Sequence, residues 1–223
     1  MNVVETSTAR VVVNRQPQLV VPIRSLGENH RGRIAEHLKH LDSDDRYSRF
    51  GYAVTDAQIE RYVEGLDFER DEIFGIYNRH LKLVAVAHLA FSVDMRLHAC
   101  SEFGVSVLES SRGRSFGTRL FDRAAVHARN EGVQMMFIHM LNQNAAMLKI
   151  AHNGGAEVVK GGHESEAYLK LSPATANTQL AELMQEHIAQ TNYQFKRHAL
   201  HFRDTLDRFV GFWGSAISTK SGN

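Results

Sequence analysis

A mixed α/β layer fold is the class this sequence predicts, and three groups of segments predict it. Ile73 to Tyr77, Lys82 to Val93 and His98 to Leu108 are rich in Val, Ile, Phe and Leu and are separated only by short polar turns, so they read as three consecutive antiparallel strands. Behind them, Thr118 to Asn130, Gln134 to Leu141 and the segment opened by Asn144 alternate helix, strand and helix. Ahead of them, Gly27 to Leu66 carries its apolar residues at helical spacing. Helices before and after a run of strands indicate helices layered on a sheet. With 223 residues, 43% hydrophobic and 23% charged, the chain can bury one substantial core and carry an appendage.

Taken in order, Met1 to Arg15 reads as a loosely tied terminus with Val11 to Val13 as an edge-strand candidate. Gln18 to Arg24 is a short strand in which Pro22 permits only an edge or an end position. Ile34, Leu38 and Leu41 place an amphipathic helix over Gly27 to Leu41. Asp42 to Asp45 supplies capping oxygens for a helical turn over Arg46 to Tyr52, and Thr55 to Gln58 has the form of a capping box for a helix through Leu66. Two readings of Arg46 to Tyr52 stand: Tyr47 and Phe50 packed inward with the arginines in water, or a wall of a substrate pocket. The helix 118–130 ends at Gly132 as its C-terminal cap. Glu157 to Lys160 and Glu166 to Leu171 read as closing strands joined across Gly161, Gly162 and His163. Pro173 then marks a boundary between a domain over 17–172 and a helical extension over 173–214. In that extension Leu180, Leu183, Met184 and Ile188, and then Ala199, Phe202, Leu206, Phe209, Val210 and Trp213, keep helical spacing. These helices cover the core of their own chain or form a homodimer contact; own-chain packing with a share in a dimer is the favoured arrangement.

Bulk properties exclude several classes. A formal net charge of +1 gives no basic stripe for nucleic acid. The single cysteine, Cys100, leaves no intrachain disulfide and no paired-cysteine metal site, and fits a reducing compartment. The first residues lack a basic start followed by a long apolar run, so no signal peptide is expected. The longest apolar stretch, Leu83 to Phe91, is broken by His88 and is too short for a bilayer. The thirteen histidines are scattered without a carboxylate-completed ligand set, so no metal is expected. These readings describe a soluble cytoplasmic protein with no nucleic-acid or membrane partner.

Cys100 to Ala156 carries the chemistry. Side chains alternate along the strand Ser101 to Leu108, with Glu102, Gly104, Ser106 and Leu108 on one face. A carboxylate among apolar neighbours is expensive to bury unless it is paired or useful, so Glu102 is a salt-bridged rim acid or a functional one. The loop Ser110 to Gly117 follows, with small residues and two arginines, and leads into the helix at Thr118. Small residues let backbone N–H groups approach an anion, and the helix N-terminus adds favourable partial charge. By itself the loop is equally a solvated basic turn or a helix cap. It is neither a Walker loop nor a GxGxxG fingerprint.

Taken together, these features resemble the N-acetyltransferases of the GNAT superfamily over roughly residues 70–171. Arg112 and Gly117 occupy the first and last positions of the family's Gln/Arg-x-x-Gly-x-Gly/Ala loop, with Ser115 in place of the middle glycine. Glu102 stands where the family often has its strand acid. Asn144 matches an asparagine that opens the next helix, and Gly155-Ala156 matches the ending of that helix. The resemblance implies a GNAT-like acyl-CoA N-acyltransferase fold: a central, mostly antiparallel sheet, splayed at the cofactor site, here with added C-terminal helices. It further implies that the backbone of Val105, Ser106 and Val107 pairs with the pantetheine amides of acetyl-CoA. Arg112, Gly113, Arg114, Ser115, Phe116, Gly117 and Thr118 would wrap the pyrophosphate, and Asn144 would lie along the cofactor arm. Glu102 is then the general base, direct or through water, for an amine attacking the acetyl group. An amine of pKa about 10.4 is neutral in only about one part in 2500 at pH 7, so a base is needed. One departure stands out: Ala151 occupies the position of the tyrosine that many members use as the acid for the leaving thiolate, and His152 follows it. That loss, with the helical tail, motivates a second class, a GNAT-fold sensor or scaffold that binds acetyl-CoA or another acyl-CoA without turnover. A third is a dimerisation protein with no cofactor.

Overall fold

The structure, a computed structural model, describes residues 21–92 and 100–190. The candidate strand Val11 to Val13, the turn Asp94 to Leu97 and the stripe from Ala199 to Trp213 lie outside those residues. The chain enters through β1 (Arg24–Ser25), of the expected Gln18 to Arg24 strand only Val21 to Arg24 lying within the described residues and only Arg24 of these being strand, and a 3₁₀ turn at Glu28–His30. Helices α1 (Arg31–Lys39), α2 (Ser43–Phe50) and α3 (Asp56–Glu64) follow. Next come β2 (Glu72–Tyr77), β3 (Leu83–Phe91) and β4 (Cys100–Val107), then α4 (Phe116–Asn130) and β5 (Met135–Leu141). The order ends with α5 (Ala145–Asn153), β6 (Glu157–Gly161), β7 (Glu164–Lys170) and a helix, α6, over residues 176–190.

Among the described residues the seven strands form one sheet in the order β1-β2-β3-β4-β5-β7-β6. Every neighbouring pair is antiparallel except β4 and β5, which α4 joins as a crossover. Strand alternation assigns the two faces. On one side of β4, Phe103 meets Phe121 of α4 edge to face at 5.3 Å. On the other, the Ser106 hydroxyl meets His37 of α1 at 2.9 Å, and Gly104 lies under Arg49 of α2. Thus α1 to α3 cover one face and α4 the other. Phe74, Phe103, Phe121, Ile34, Leu38, Leu120, Met136 and Ile138 fill the layers between them. His37 is a satisfied core histidine. The Leu83 carbonyl can only accept, so Nδ1 carries the proton, and Nε2 accepts from Ser106. Burial, the largest influence, lowers its pKa to about 4.

The α2 helix meets the inward-packing expectation only in part, since Phe50 packs against the core and Tyr47 does not. Asp42 caps it through the Asp45 N–H, and Gly51 in the left-handed region ends it. Tyr47 is 42% exposed, Phe50 is half-buried, and it is the arginines that turn inward. Arg46 donates to the carbonyls of Lys39 at 2.6 Å and Leu41 at 3.0 Å and pairs with Asp56 at 2.8 Å. The reason is the end of α1, whose last carbonyls have no intrahelical partner and must find donors elsewhere. Arg31 does the same for α3 by donating to Val63, Glu64 and Leu66.

The α6 helix also presents the face opposite to the one its pattern suggests. It docks on α4 through Glu182, which accepts from Arg123 at 2.5 Å, from His127 at 2.6 Å and from Asn130. Glu186 adds Arg123 at 3.5 Å and Ser25 at 3.3 Å. Its apolar residues Leu180, Leu183, Met184 and Ile188 are all exposed, Leu183 by 69%. Among the described residues, no helix is long and apolar enough to cross a membrane.

Two outcomes follow from this packing. Gly154, the C-cap of α5, has an ordinary backbone conformation, yet a Cβ there would lie 2.2 Å from Phe121, itself buried and held edge to face against Phe103. Gly154→Ala should therefore lower the unfolding free energy by about 1–3 kcal/mol through overpacking alone, measurable by denaturant titration. For Glu182, burial would raise the pKa, but hydrogen bonds from His127, Asn130 and Arg123 outweigh it and depress the value to about 2. A depressed carboxyl pKa contributes stability above the unfolded value and loses it as pH falls towards the folded one. Its contribution, about 1–2 kcal/mol after solvent screening, should fade between about pH 4.5 and 2. Glu182→Gln should flatten that part of the stability–pH curve relative to the native chain.

Candidate functional site

The site is built around a fork in the sheet. The parallel pairing of β4 and β5 begins at Cys100↔Met135 and ends at Glu102↔Phe137, although β4 runs on to Val107 and β5 to Leu141. Beyond that point β4 keeps its antiparallel partner β3, and its other edge, over Phe103 to Val107, has no strand partner among the described residues. Such an edge presents free N–H and C=O groups to whatever enters the gap. The backbone of Val105, Ser106 and Val107 lies along it. The Ser106 side chain is occupied by His37, so only its main chain is available there.

Glu102 stands at the fork with its side chain 59% exposed. His139 of β5 lies 3.2 Å from it through Nδ1 and 3.4 Å from Glu166 of β7 through Nε2. An imidazole between two carboxylates can carry a proton from one towards the other. Phe137 and Tyr168 flank this group edge to face at 5.3 Å. Neither His139 nor Glu166 was singled out from the sequence. Only the register of β5 against β4 and β7 brings them to Glu102, and register is a long-range property.

A second polar chain reaches the same face. Asp71, with its side chain 3% exposed, accepts from Arg70 at 2.8 and 3.0 Å, from the Phe91 N–H and from His88 Nε2 at 3.1 Å. Burial opposes its ionisation, but the hydrogen bonds from Arg70 and His88 outweigh burial and hold the carboxyl below its usual range. An ionised carboxylate only accepts, so His88 donates through Nε2, and its Nδ1 accepts from the Tyr62 hydroxyl at 2.8 Å. The Tyr62 oxygen in turn accepts from Arg49 at 2.9 Å. Burial lowers the His88 pKa, with Asp71 opposing and the charge of Arg49 adding to the effect. The lowered value favours the neutral imidazole, in which Nδ1 is free to accept.

The loop before α4 has the shape of an anion cradle. Gly113 and Ser115 have φ of 75° and 57°, in the left-handed region, and Gly117 is buried where a Cβ would meet Ile150 at 2.9 Å. Ser115 is the N-cap of α4, but its side chain makes no capping bond, so the first-turn N–H groups of Phe116, Gly117 and Thr118 have no side-chain cap. Arg112, Gly113, Arg114 and Ser115 are exposed. The guanidinium of Arg112 is engaged by Asp45 of α2, whereas Arg114 extends into solvent without an ion pair among the described residues. Asn144 is the N-cap of α5, its side chain accepting from the Met147 N–H at 3.0 Å. Ala151 is fully buried in the core, and His152 is exposed.

The sequence profile of the Acetyltransferase (GNAT) family matches residues 36–154, more than half of the chain. The chain belongs to the GNAT family. Acetyl-CoA is the cosubstrate of that family. No curated protein matches the chain. Solved structures share the fold: the GNAT domain of S. lividans PAT has a TM-score of 0.58 at 16% identity, covering 67% of this chain and 89% of that one. A putative acetyltransferase of Salmonella typhimurium, yncA, solved with acetyl-CoA, has a TM-score of 0.55 at 19% identity, covering 70% and 97%. Spermidine N-acetyltransferase from Vibrio cholerae, in complex with CoA and spermine, has a TM-score of 0.52 at 15% identity, covering 66% and 94%. Identities this low carry the architecture alone, and that architecture is the mixed α/β GNAT fold.

Ser115 makes a prediction that separates this GNAT loop from ordinary turns. A non-glycine residue in the left-handed region costs about 1–2 kcal/mol, while glycine costs about 0.4–1 kcal/mol in unfolded-state entropy. Ser115→Gly should therefore leave stability unchanged or raise it by up to about 1 kcal/mol, where most changes to glycine lower it. Thermal and denaturant unfolding of the variant decide between the two.

Proposed function

We propose that this chain is an acetyl-CoA-dependent N-acetyltransferase that acetylates a primary amine of a small molecule or protein, with Glu102 as general base. The observation that supports it best is the position of Glu102: an exposed carboxylate at the point where β4 and β5 part. The pantetheine arm would lie against the free edge of β4 at Val105 to Val107. The pyrophosphate would meet the first-turn N–H groups of α4 and the Arg114 guanidinium, with Arg112 exchanging its Asp45 partner for phosphate oxygens. The role of Asn144 is to hold the start of α5 beside the arm.

In the reaction the amine passes a proton to Glu102, directly or through one water, and its nitrogen lone pair forms the C–N bond at the thioester carbonyl. The C–S bond breaks and the electron pair leaves on the coenzyme A sulfur. His139, bonded to Glu102, relays the accepted proton towards Glu166 and solvent. A thiol of pKa about 8.5 leaves readily near neutrality, so a buried Ala151 in place of the family's tyrosine is compatible with turnover. That same alanine favours a second reading, a GNAT module that binds an acyl-CoA without turning it over. In either reading the domain spans 17–172, and the extension over 173–214 packs on the core or on a homodimer partner, in the cytoplasm.

Calorimetric titration with acetyl-CoA comes first: the native chain should bind, and an Arg112→Ala, Asn144→Ala double variant that remains folded should bind much more weakly. Glu102→Gln should retain acetyl-CoA affinity and lose roughly 10²–10⁴-fold in kcat/KM for the amine, as expected for a general base. Turnover within a few-fold of native would sink the assignment of Glu102. Absence of acetyl-CoA binding would sink the whole reading, and binding without turnover across amines would favour the acyl-CoA module.

A further inference from the structure

We infer that Arg49 is the anchor for a carboxylate carried by the acceptor, so that the amine substrate is an amino acid or a similar zwitterion; this rests on the acetyltransferase reading above. The guanidinium lies directly over β4: a Cβ on Gly104 would be 2.9 Å from Arg49 Cζ and 3.0 Å from Nη1, so the absence of a side chain there is what admits it. Gly104 and Glu102 share a strand face, about 7 Å apart at two residues' rise. His88, opposite Gly104 on β3, lies on the same face.

Two features distinguish this arginine from its neighbours. Its position is fixed by a chain of hydrogen bonds running from buried Asp71 through His88 and Tyr62, and by the rings of Phe50 at 5.3 Å and Tyr62 at 5.6 Å. Yet it has no carboxylate partner among the described residues, whereas Arg46, Arg70, Arg112 and Arg123 each have one. Of its five N–H donors one is given to Tyr62, and among the described residues no other hydrogen bond takes up the rest, while none of its nitrogens is fully buried without a partner. A planar guanidinium held in place with its fork open is matched by a carboxylate, bidentate and singly charged. A phosphate dianion is the poorer fit, because the carboxylates of Glu102 and Glu166 lie at this end of the face, on either side of His139.

The face is thus dipolar. Glu102 and Glu166 attract the ammonium end of a zwitterion and Arg49 its carboxylate, which orients the nitrogen towards the base and the fork. Arg49 touches substrate in this scheme; Tyr62, His88 and Asp71 are positioning residues that act through it.

The test uses matched pairs, glycine and glycinamide, β-alanine and β-alaninamide, lysine and lysinamide, with putrescine as a carboxylate-free diamine. Coenzyme A release measures turnover, and calorimetry measures binding of each amine to the CoA-loaded protein. In the native chain at least one acid should exceed its amide by 10-fold or more in kcat/KM. Arg49→Gln should bring that ratio to within about 3-fold of unity through KM, with kcat and acetyl-CoA affinity little changed, and should abolish the calorimetric signal of the acid. Arg49→Lys and Tyr62→Phe should give intermediate ratios, and they carry the test if Arg49→Gln does not fold. The inference is overturned if amides or putrescine serve as well as acids, if the acid preference survives in Arg49→Gln, or if acetyl-CoA binds but no carboxylate-bearing amine is bound or acetylated. Failure of acetyl-CoA to bind is a separate outcome, which removes the reading beneath it.

Discussion

The fork between β4 and β5 is the constraint on which the rest of the molecule depends. A parallel pair normally gains stability from every added ladder bond, and here the ladder ends after three register pairs while both strands continue. The free edge this leaves on β4 survives because the strand is held elsewhere. Antiparallel pairing to β3 runs from Phe91↔Ser101 to Ala85↔Val107, Phe103 is locked against Phe121, and Ser106 is tied to His37. The gap is therefore a rigid opening in a well-packed sheet, with Glu102 at its apex.

Polar clamps, as much as apolar packing, hold the covering helices in position over that opening. Arg31 and Arg46 collect carbonyls near the ends of α3 and α1, which fixes the angle at which α2 crosses the sheet. That crossing delivers Arg49 to Gly104 and Asp45 to Arg112, so one short helix touches both β4 beside Glu102 and the loop before α4. On the opposite face Arg123, His127 and Asn130 converge on Glu182. A buried guanidinium of this kind is costly when unpaired, so α6 is bound to α4 by charge and leaves its apolar stripe outward.

Much of the architecture was legible because it is written in local signals. Strand runs from Ile73 to Leu108 and the helix after Gly117 follow from hydrophobic period and β-propensity. Asp42, Thr55 and Asn144 are N-caps as their chemistry suggests, and Gly132 in the left-handed region ends α4. The α2 segment was not legible in the same way. Tyr47 and Phe50 resemble a buried pair, and Phe50 does pack on the core, but the nearby carbonyls of Lys39 and Leu41 and the bare backbone at Gly104 turned the arginines inward and left Tyr47 exposed.

By itself the sequence determined most of the helices and strands and the family, since these are set by residues close together in the chain. Only the tertiary structure decided what surrounds Glu102. His139 is 37 residues from Glu102 and Asp71 is 17 from His88, and they meet through strand register; Tyr62 joins them through the packing of α3. A one-residue slip in β5 would turn His139 to the opposite face of the sheet, and no local pattern in the sequence records which register the sheet adopts.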